Sequence, residues 1–298
     1  MTSSWHCHIT YQGHQSWVRA IAPSPDGSFF VTASGDKTAK VWKINQPEAV
    51  VTFSGHESWL RCVAIHPSGT SVVTAGNDKN ILIWDPRTTQ IQQTLSGHKD
   101  GVRAMIFNSS SLISASQDQT IKIWQPRTSQ LEATLKGHDH WVLSLGIVPQ
   151  QQVLVSGSKD NTIRLWSLFT NEPLKVFTGH RDEVLSIAIH PSGKWFASGD
   201  GEGIIKFWSL TDQKLLSTFV AHEQAVNSIA FSDDGKIFAT GSQDKTIKIW
   251  QMKTGKAIAE LTGHEGWIWS VAFLPKTYHL LSASWDTTVK LWHYQKPA

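Results

Sequence analysis

The feature that most constrains this 298-residue chain is an interval from histidine to tryptophan that recurs seven times. Successive histidines are 42 residues apart, except for one step of 40, and the tryptophan follows 28 residues later, except for 26 in the third repeat. A period near 42 with four strand-like runs per repeat is typical of a β-propeller blade. The seven pairs are His14 and Trp42, His56 and Trp84, His98 and Trp124, His138 and Trp166, His180 and Trp208, His222 and Trp250, and His264 and Trp292.

The second repeat shows how one unit is expected to fold. Residues 60–65, 71–75, 80–84 and 91–95 are short runs rich in β-branched and aromatic side chains, and Gly, Pro, Asn and Asp lie between them. This pattern predicts four antiparallel strands joined by tight turns. Both faces of so small a sheet are apolar, so each blade needs a neighbour on either side.

We therefore expect an all-β fold, a seven-bladed propeller of four-stranded antiparallel blades that fills residues 1–298 as a single domain. Residues 4–11 stand where the other repeats have a fourth strand, so they should complete the last blade beside residues 289–292. This closure would remove the open sheet edge that invites aggregation. The repeats are expected at about 14–54, 55–96, 97–136, 137–178, 179–220, 221–262 and 263–295.

Two more positions recur within the repeat: a carboxylate six residues before each tryptophan, and a hydroxyl four residues before that carboxylate. A buried indole N–H needs an acceptor, a hydroxyl can accept and donate onward, and a carboxylate can fix the tautomer of a histidine. We expect the four groups to form a hydrogen-bonded tetrad, for example His56, Thr74, Asp78 and Trp84. In the fifth repeat the carboxylate at this position is Glu202, whose extra methylene should loosen that blade locally.

These residues give the chain a family resemblance. The Gly-His start, the Asp-x-x-x-x-x-Trp end and the Trp84-Asp85 dipeptide of the second repeat resemble the WD-repeat family, and the resemblance covers all seven repeats. It implies a propeller that binds partners on its top face. In that family the top face is lined by the residue three after the repeat histidine, the residue two further on, and the residue before the corner carboxylate.

At those positions this chain carries an unusual number of aromatic and cationic side chains, which dominate the energetics of protein interfaces. The arginines suit carboxylates or phosphorylated side chains, and the indoles suit cationic or aromatic ones. The alternative, that the indoles only pack on neighbouring loops and stiffen the rim, stays open. The candidate partner-binding residues are Trp17, Arg19, Trp59, Arg61, Arg103, Trp141, Trp267, Trp269 and Trp285.

The function expected from these observations is a non-catalytic scaffold that binds a protein or peptide, as a monomeric propeller within a larger complex. One alternative is a substrate receptor of a cullin-type ubiquitin ligase, because Trp84-Asp85-Pro86-Arg87 resembles the docking box of such receptors. Another is an enzyme with a pocket in the channel mouth. The histidine, hydroxyl and carboxylate set could suggest a hydrolase, but it recurs seven times beside a tryptophan, so no catalytic residue is expected.

Composition narrows the partners. The formal net charge is only +3 and the basic residues form no run, so a nucleic-acid partner is not expected. No apolar run approaches the roughly 20 residues needed to cross a bilayer, so no membrane partner is expected either.

Cysteine and histidine usage argues against a metal. Cys7 and Cys62 form no spacing motif and are expected to be free thiols of a cytoplasmic protein. His6 and His8 would place two imidazoles on one face of a strand, but the sequence shows no third ligand nearby. No metal and no cofactor are expected.

Overall fold

The blades are visible directly in the sheet pairing. The structure is a computed structural model that describes residues 4–109 and 111–295. Its strands form seven four-stranded sheets, and every paired strand runs antiparallel to its neighbour. The predicted fold class, an all-β propeller of seven blades, is confirmed.

The strands are numbered along the chain, and β1 (Ser4–Tyr11) belongs to the last blade. The first three blades are β2 (Val18–Pro23), β3 (Phe29–Ser34), β4 (Ala39–Lys43) and β5 (Ala49–Phe53); β6 (Leu60–Ile65), β7 (Val72–Gly76), β8 (Ile81–Trp84) and β9 (Ile91–Leu95); and β10 (Val102–Asn108), β11 (Ser111–Ser116), β12 (Thr120–Gln125) and β13 (Gln130–Lys136).

A short 3-10 turn (Pro149–Gln151) connects the first two strands of blade four. The remaining blades are β14 (Val142–Val148), β15 (Val153–Ser158), β16 (Ile163–Ser167) and β17 (Pro173–Phe177); β18 (Val184–Ile189), β19 (Trp195–Asp200), β20 (Ile204–Ser209) and β21 (Lys214–Val220); β22 (Val226–Phe231), β23 (Ile237–Ser242), β24 (Ile247–Gln251) and β25 (Lys256–Leu261); and β26 (Ile268–Phe273), β27 (Leu280–Ser284) and β28 (Val289–Gln295), joined by β1.

The core lies between blades. Each blade's first strand packs against the first strand of the next blade, and β2 contacts both β6 and β26, so the ring closes around a central axis. Val31 and Phe53 of blade one pack against Leu60 and Trp84 of blade two. The apolar faces of one sheet are thus buried by its neighbours, as expected for blades that cannot bury them alone.

The ring closes through the first strand of the chain. β1 pairs antiparallel with β28, from Trp5 opposite Tyr294 to Tyr11 opposite Val289. Tyr11 is buried, and its hydroxyl donates a hydrogen bond to the carbonyl of Ile44 in blade one. The predicted completion of the last blade by residues 4–11 is confirmed.

One irregularity recurs in the first strand of every blade. In blade one Val18 pairs with Ser34 and Ala20 with Ala33, so Arg19 is an extra, unpaired residue. Such a β-bulge bends the strand and redirects the side chain of the extra residue. The bulged residues of the seven blades are Arg19, Arg61, Arg103, Leu143, Leu185, Asn227 and Trp269.

Two further features concern environment. Within residues 4–109 and 111–295, no helix is long and apolar enough to cross a membrane. Cys7 is exposed, Cys62 is buried, and both are free thiols. Burial raises the pKa of the Cys62 thiol to about 12, so this thiol stays protonated and unreactive at neutral pH.

Candidate functional site

The tetrads form a buried layer near one end of the blades. In blade two, Trp84 Nε1 donates to Thr74 Oγ1 at 3.1 Å. The Thr74 oxygen lies 2.9 Å from His56 Nε2, and His56 Nδ1 lies 2.6 Å from Asp78 Oδ2. The chain of bonds assigns the proton on His56 to Nδ1, so the hydroxyl donates to Nε2. The tetrad therefore ties the loop that enters the blade to its second and third strands.

This layer is largely buried. The hydroxyl residue of every tetrad is fully buried. Burial by itself would raise the pKa of Asp36, but the hydrogen bond from His14 and the electrostatic attraction between the two side chains outweigh it and hold that pKa well below its usual range. Burial also lowers the pKa of His14, which keeps the imidazole neutral. The tetrad thus holds the blade together, with its histidine and hydroxyl buried and its Asp36 side chain 9% exposed.

Blade five requires a correction. The carboxylate that contacts His180 is Asp200, at 2.5 Å, and the prediction of Glu202 is wrong. Asp200 occupies the position, eight residues before the tryptophan, where most other repeats have serine. Its longer side chain reaches the histidine directly, and its other oxygen accepts the N–H groups of Glu202 and Ile204. Glu202 is exposed, so the predicted loosening of blade five loses its basis.

The same contacts define the top face. Each repeat histidine lies in the loop between blades and contacts a carboxylate in the turn between the second and third strands, or in blade five at the end of the second strand, so these loops and turns share one end of the propeller. In blade two the Asn77 N–H of that turn also donates to the Trp59 carbonyl at 2.9 Å, and in blade seven the Trp285 N–H donates to the Trp267 carbonyl at 2.9 Å. In these two blades the residue three after the repeat histidine and the residue before the corner carboxylate are therefore held side by side.

Five of the candidate tryptophans form one contiguous group, the aromatic belt (Trp17, Trp59, Trp267, Trp269 and Trp285). Trp17 stacks on Trp285 with ring centroids 6.1 Å apart and meets Trp59 edge-on at 5.9 Å. Trp267 contacts both Trp269 and Trp285, at 5.6 and 5.3 Å. The belt spans blades seven, one and two.

One side of the belt packs against the protein, and the other side is exposed to solvent. Trp17 lies directly over Gly35, where an added Cβ would approach the indole to 2.4 Å, so only glycine accommodates the ring there. Trp59, Trp267 and Trp285 nevertheless remain 47%, 39% and 48% exposed. Indoles that served only to fill a rim would be covered, whereas these present large apolar faces to solvent.

The three arginines at bulge positions form the arginine cluster (Arg19, Arg61 and Arg103) beside the belt. The Arg61 guanidinium lies 4.9 Å from the ring centroid of Trp17 and 5.6 Å from that of Trp59. Arg19 lies 4.4 Å from the ring of Trp269. These cation–π contacts orient the arginines at the mouth of the central channel.

The cluster is electrostatically unbalanced. Burial and then the positive charges of Arg103 and Arg61 lower the pKa of Arg19 to about 9, and burial followed by Arg103 lowers that of Arg61 to about 10. None of the ion pairs among the described residues includes an arginine of the cluster. Counting acceptors among the described residues only, Arg19 Nε and Trp269 Nε1 are buried donors without an acceptor. An anionic, hydrogen-bond-accepting group would satisfy both conditions.

Sequence reasoning left Lys159 out of the candidate set. Its ammonium lies 4.7 Å from the ring centroid of Trp141 and 3.9 Å from a carboxylate oxygen of Glu183. Arg103 lies on the same ring at 5.7 Å. Trp141 is thus separate from the belt and flanked by two cations. The sequence could have identified this residue, because Lys159 directly precedes the tetrad carboxylate of its blade, which is one of the three top-face positions.

Blade six differs at the same positions. Ala225 and Asn227 are buried, and the Asn227 side chain donates to the carbonyl of Ile268 at 2.8 Å. Gln243 donates weakly to Asn227 at 3.4 Å. This part of the top face offers small or satisfied polar groups.

Of the docking-box residues, Trp84 ends β8, and Asp85, Pro86 and Arg87 lie in the turn between β8 and β9, at the opposite end of the propeller. The Arg87 backbone N–H donates to Asp85 at 2.7 Å, and the guanidinium pairs with the same carboxylate at 3.2 Å while remaining 80% exposed. Asp85 and Arg87 thus already bond to each other within the turn, and this contact explains the pair without a binding partner.

Comparison with known families agrees with the geometry. The family model described as "WD domain, G-beta repeat" matches residues 5–43, 47–85, 89–125, 129–167, 171–209, 213–251 and 255–293. The chain belongs to the WD-repeat family. This finding confirms the resemblance seen in the tetrad residues across all seven repeats.

Curated relatives of this WD-repeat chain match over short stretches. It is 46% identical over 48 residues to a nuclear distribution protein PAC1 of Arthroderma otae, which is 15% of this chain and 10% of that protein. It is 43% identical over 42 residues to a lissencephaly-1 homolog of Caenorhabditis briggsae (14% and 11%), and 40% identical over 40 residues to a pre-mRNA-splicing factor PRP46 of Yarrowia lipolytica (13% and 9%). The chain thus matches about a tenth of each relative, and none of these names supports a cullin-ligase receptor.

Proposed function

We propose that this WD-repeat propeller is a non-catalytic interaction scaffold whose top face binds a protein or peptide. The observation that carries the proposal is the aromatic belt: three of its indoles are exposed beside an arginine cluster that forms no ion pair among the described residues. Aromatic residues and arginine contribute most to binding energy at protein interfaces. The predicted cytoplasmic location stays a prediction.

The chemistry of the belt and of the arginine cluster supports one class of partner. The arginine cluster would pair with a carboxylate or a phosphorylated side chain, since an anion offsets the burial and the mutual repulsion that together lower the pKa values of Arg19 and Arg61. The belt would hold an adjacent apolar or aromatic side chain on the open faces of Trp59 and Trp285. The partner would then contact blades seven, one, two and three and leave blades five and six uncovered.

The partner can be sought by affinity capture from the native lysate, with wild-type protein beside a triple variant Trp17→Ala, Trp59→Ala and Trp267→Ala. A protein retained by the wild type and lost by the triple variant is the expected result. Equal recovery of every protein by both samples would contradict a binding role for the belt.

A peptide array tests the chemistry without a known partner. Its peptides carry Glu, phosphoserine, Lys or Ala beside a phenylalanine. We expect retention of the Glu and phosphoserine peptides and a loss of about 10-fold or more for Arg61→Ala and Trp59→Ala, the scale of one interface anchor.

Matched controls lie at the other end of the propeller. Arg87 is 80% exposed and Phe169 is 89% exposed, both in turns between the third and fourth strands of a blade. Arg87→Ala and Phe169→Ala should bind as the wild type does. If the control variants lose as much binding as the top-face variants, the top face is not the binding surface.

A further inference from the structure

Three histidines from opposite ends of the chain meet where the ring closes. In the pairing of β1 with β28, His6 lies directly opposite His293. The ladder then skips a residue, because Cys7 pairs with Trp292 and Ile9 with Leu291, so His8 is a bulged residue. The bulge changes where His8 projects and brings a third imidazole to the pair formed by His6 and His293.

The side chains are close and accessible. The His8 and His293 rings stack with centroids 3.8 Å apart, and the His6 ring lies 5.9 Å from that of His293. One ring nitrogen from each of the three residues lies within 4.8 Å of the other two. His6 and His8 are exposed and His293 is half-buried, so an ion can reach the group from solvent.

A fourth histidine supports the cluster from the other side. The His279 ring stacks on His293 at 4.0 Å, and its Nδ1 accepts a hydrogen bond from the Tyr294 backbone N–H at 3.2 Å. His279 is thereby oriented by the backbone and is itself not one of the three grouped ligands. It limits the rotation of His293, which reduces the ordering cost of a ligand site.

We propose that His6, His8 and His293 bind one Zn²⁺ ion across the closing strand pair. Tetrahedral Zn²⁺ takes imidazole nitrogens at about 2.0–2.1 Å, which places pairs of ligand nitrogens roughly 3.3 Å apart. Small rotations of the two exposed side chains reach that spacing from the present arrangement. Three nitrogen ligands leave the fourth position to water, and the set lacks the oxygen ligands that Mg²⁺ and Ca²⁺ require.

The site would link ring closure to metal. Its ligands come from β1 and β28, the two strands that seal the propeller, and they come together only in the closed ring. An ion that binds the folded chain and not the unfolded one stabilises the fold by an amount that rises with the logarithm of its concentration above the dissociation constant. Zn²⁺ would therefore hold the first strand in place.

Isothermal titration with ZnCl₂ at pH 7.5 tests the proposal on full-length protein treated with chelator and dialysed. The protein carries Cys7→Ser, because the exposed Cys7 thiol beside the site is an alternative zinc ligand. We expect one ion per chain, at least a 10-fold loss of affinity in His6→Gln and in His293→Gln, and no change in the control His66→Gln. A melting temperature that rises with Zn²⁺ in the parent and not in His6→Gln is expected from the same samples.

Several results would overturn the proposal. They are titration without a saturable one-to-one phase, equal affinity of His6→Gln and its parent, or an equal rise in melting temperature with MgCl₂. Because His6 is exposed, its variant keeps the test valid even if His293→Gln weakens the last blade.

Discussion

Two sets of tryptophans in this propeller have opposite environments. Trp84 represents the first set: it is fully buried, and its N–H donates to a threonine in a tetrad that every blade repeats. Trp59 represents the second: it is 47% exposed, belongs to one sector of the ring, and contacts Trp17 and Arg61. A residue type that recurs in every blade serves the fold, whereas the same type confined to a few blades is free to serve binding.

Acid should have the largest effect, because it acts on several tetrads at once. Their histidine partners hold the pKa values of five carboxylates below the usual range, those of Asp36, Asp118, Asp160, Asp244 and Asp286. A carboxyl whose pKa is lower in the folded than in the unfolded state adds stability above its unfolded pKa and loses it as the pH falls. Burial also lowers the pKa values of His14 and His264, which act in the same direction.

The urea midpoint should therefore fall slowly below about pH 6.5 and steeply below about pH 4, near the unfolded pKa values of histidine and aspartate. Urea unfolding at pH 7, 5, 4 and 3 measures this. Arg61→Ala, a change outside the tetrads, should give a parallel curve. A midpoint that stays constant down to pH 3 would contradict the role assigned to the carboxylates.

Trp84→Ala should be the most damaging single substitution of the comparison. It opens a cavity between blades one and two and leaves the Thr74 hydroxyl without its donor. We expect a loss of about 3–5 kcal/mol in the free energy of unfolding, measured by denaturant unfolding. Trp59→Ala is the matched control, and an equal loss in both variants would erase the distinction between the two sets of tryptophans.

Asp200→Ala should cost about 1–3 kcal/mol, since it leaves a buried His180 N–H without its acceptor. Glu202→Ala, two residues away and exposed, should stay within about 0.5 kcal/mol of wild type. The same denaturant titration decides between them. The reverse order would restore the glutamate to the tetrad.

A small effect on stability is also expected for Trp59→Ala and Arg61→Ala. Trp59→Ala removes an exposed ring and one cation–π contact, and Arg61→Ala removes a half-buried guanidinium and two, so the free energy of unfolding should change by at most about 1 kcal/mol. Thermal melting of the two variants measures it. Unfolding of either variant would show that the rim is structural, which is the alternative left open by the sequence.

The strands and tetrads that recur in every blade were predictable from the sequence. The side-chain clusters that occur in only some blades were less so. Predicted strands 60–65 and 91–95 coincide with β6 and β9, while the two between them begin one residue later than predicted. Turn residues and alternation are local signals, so they define strands well. Asp200 was missed because a fixed spacing was applied to a turn in which a longer side chain had moved the carboxylate along the chain.

The side-chain clusters depend on geometry that spacing does not record. The bulge at Arg19, Arg61 and Trp269 is a property of strand pairing, and it decides that these side chains meet at the channel mouth. His293 was missed beside His6 for a related reason: the predicted closure implied the pairing, but the antiparallel register was not followed one residue beyond Trp292.

The pairing of β1 with β28 also has a consequence for biosynthesis. Because the first strand needs the last one, a nascent chain emerging from the ribosome can assemble six blades while its leading segment still waits. Partly made propellers therefore expose a bare lateral surface until β28 has been synthesised, the stage at which such intermediates are prone to self-association. Quality control of this protein during synthesis should concentrate on that final interval.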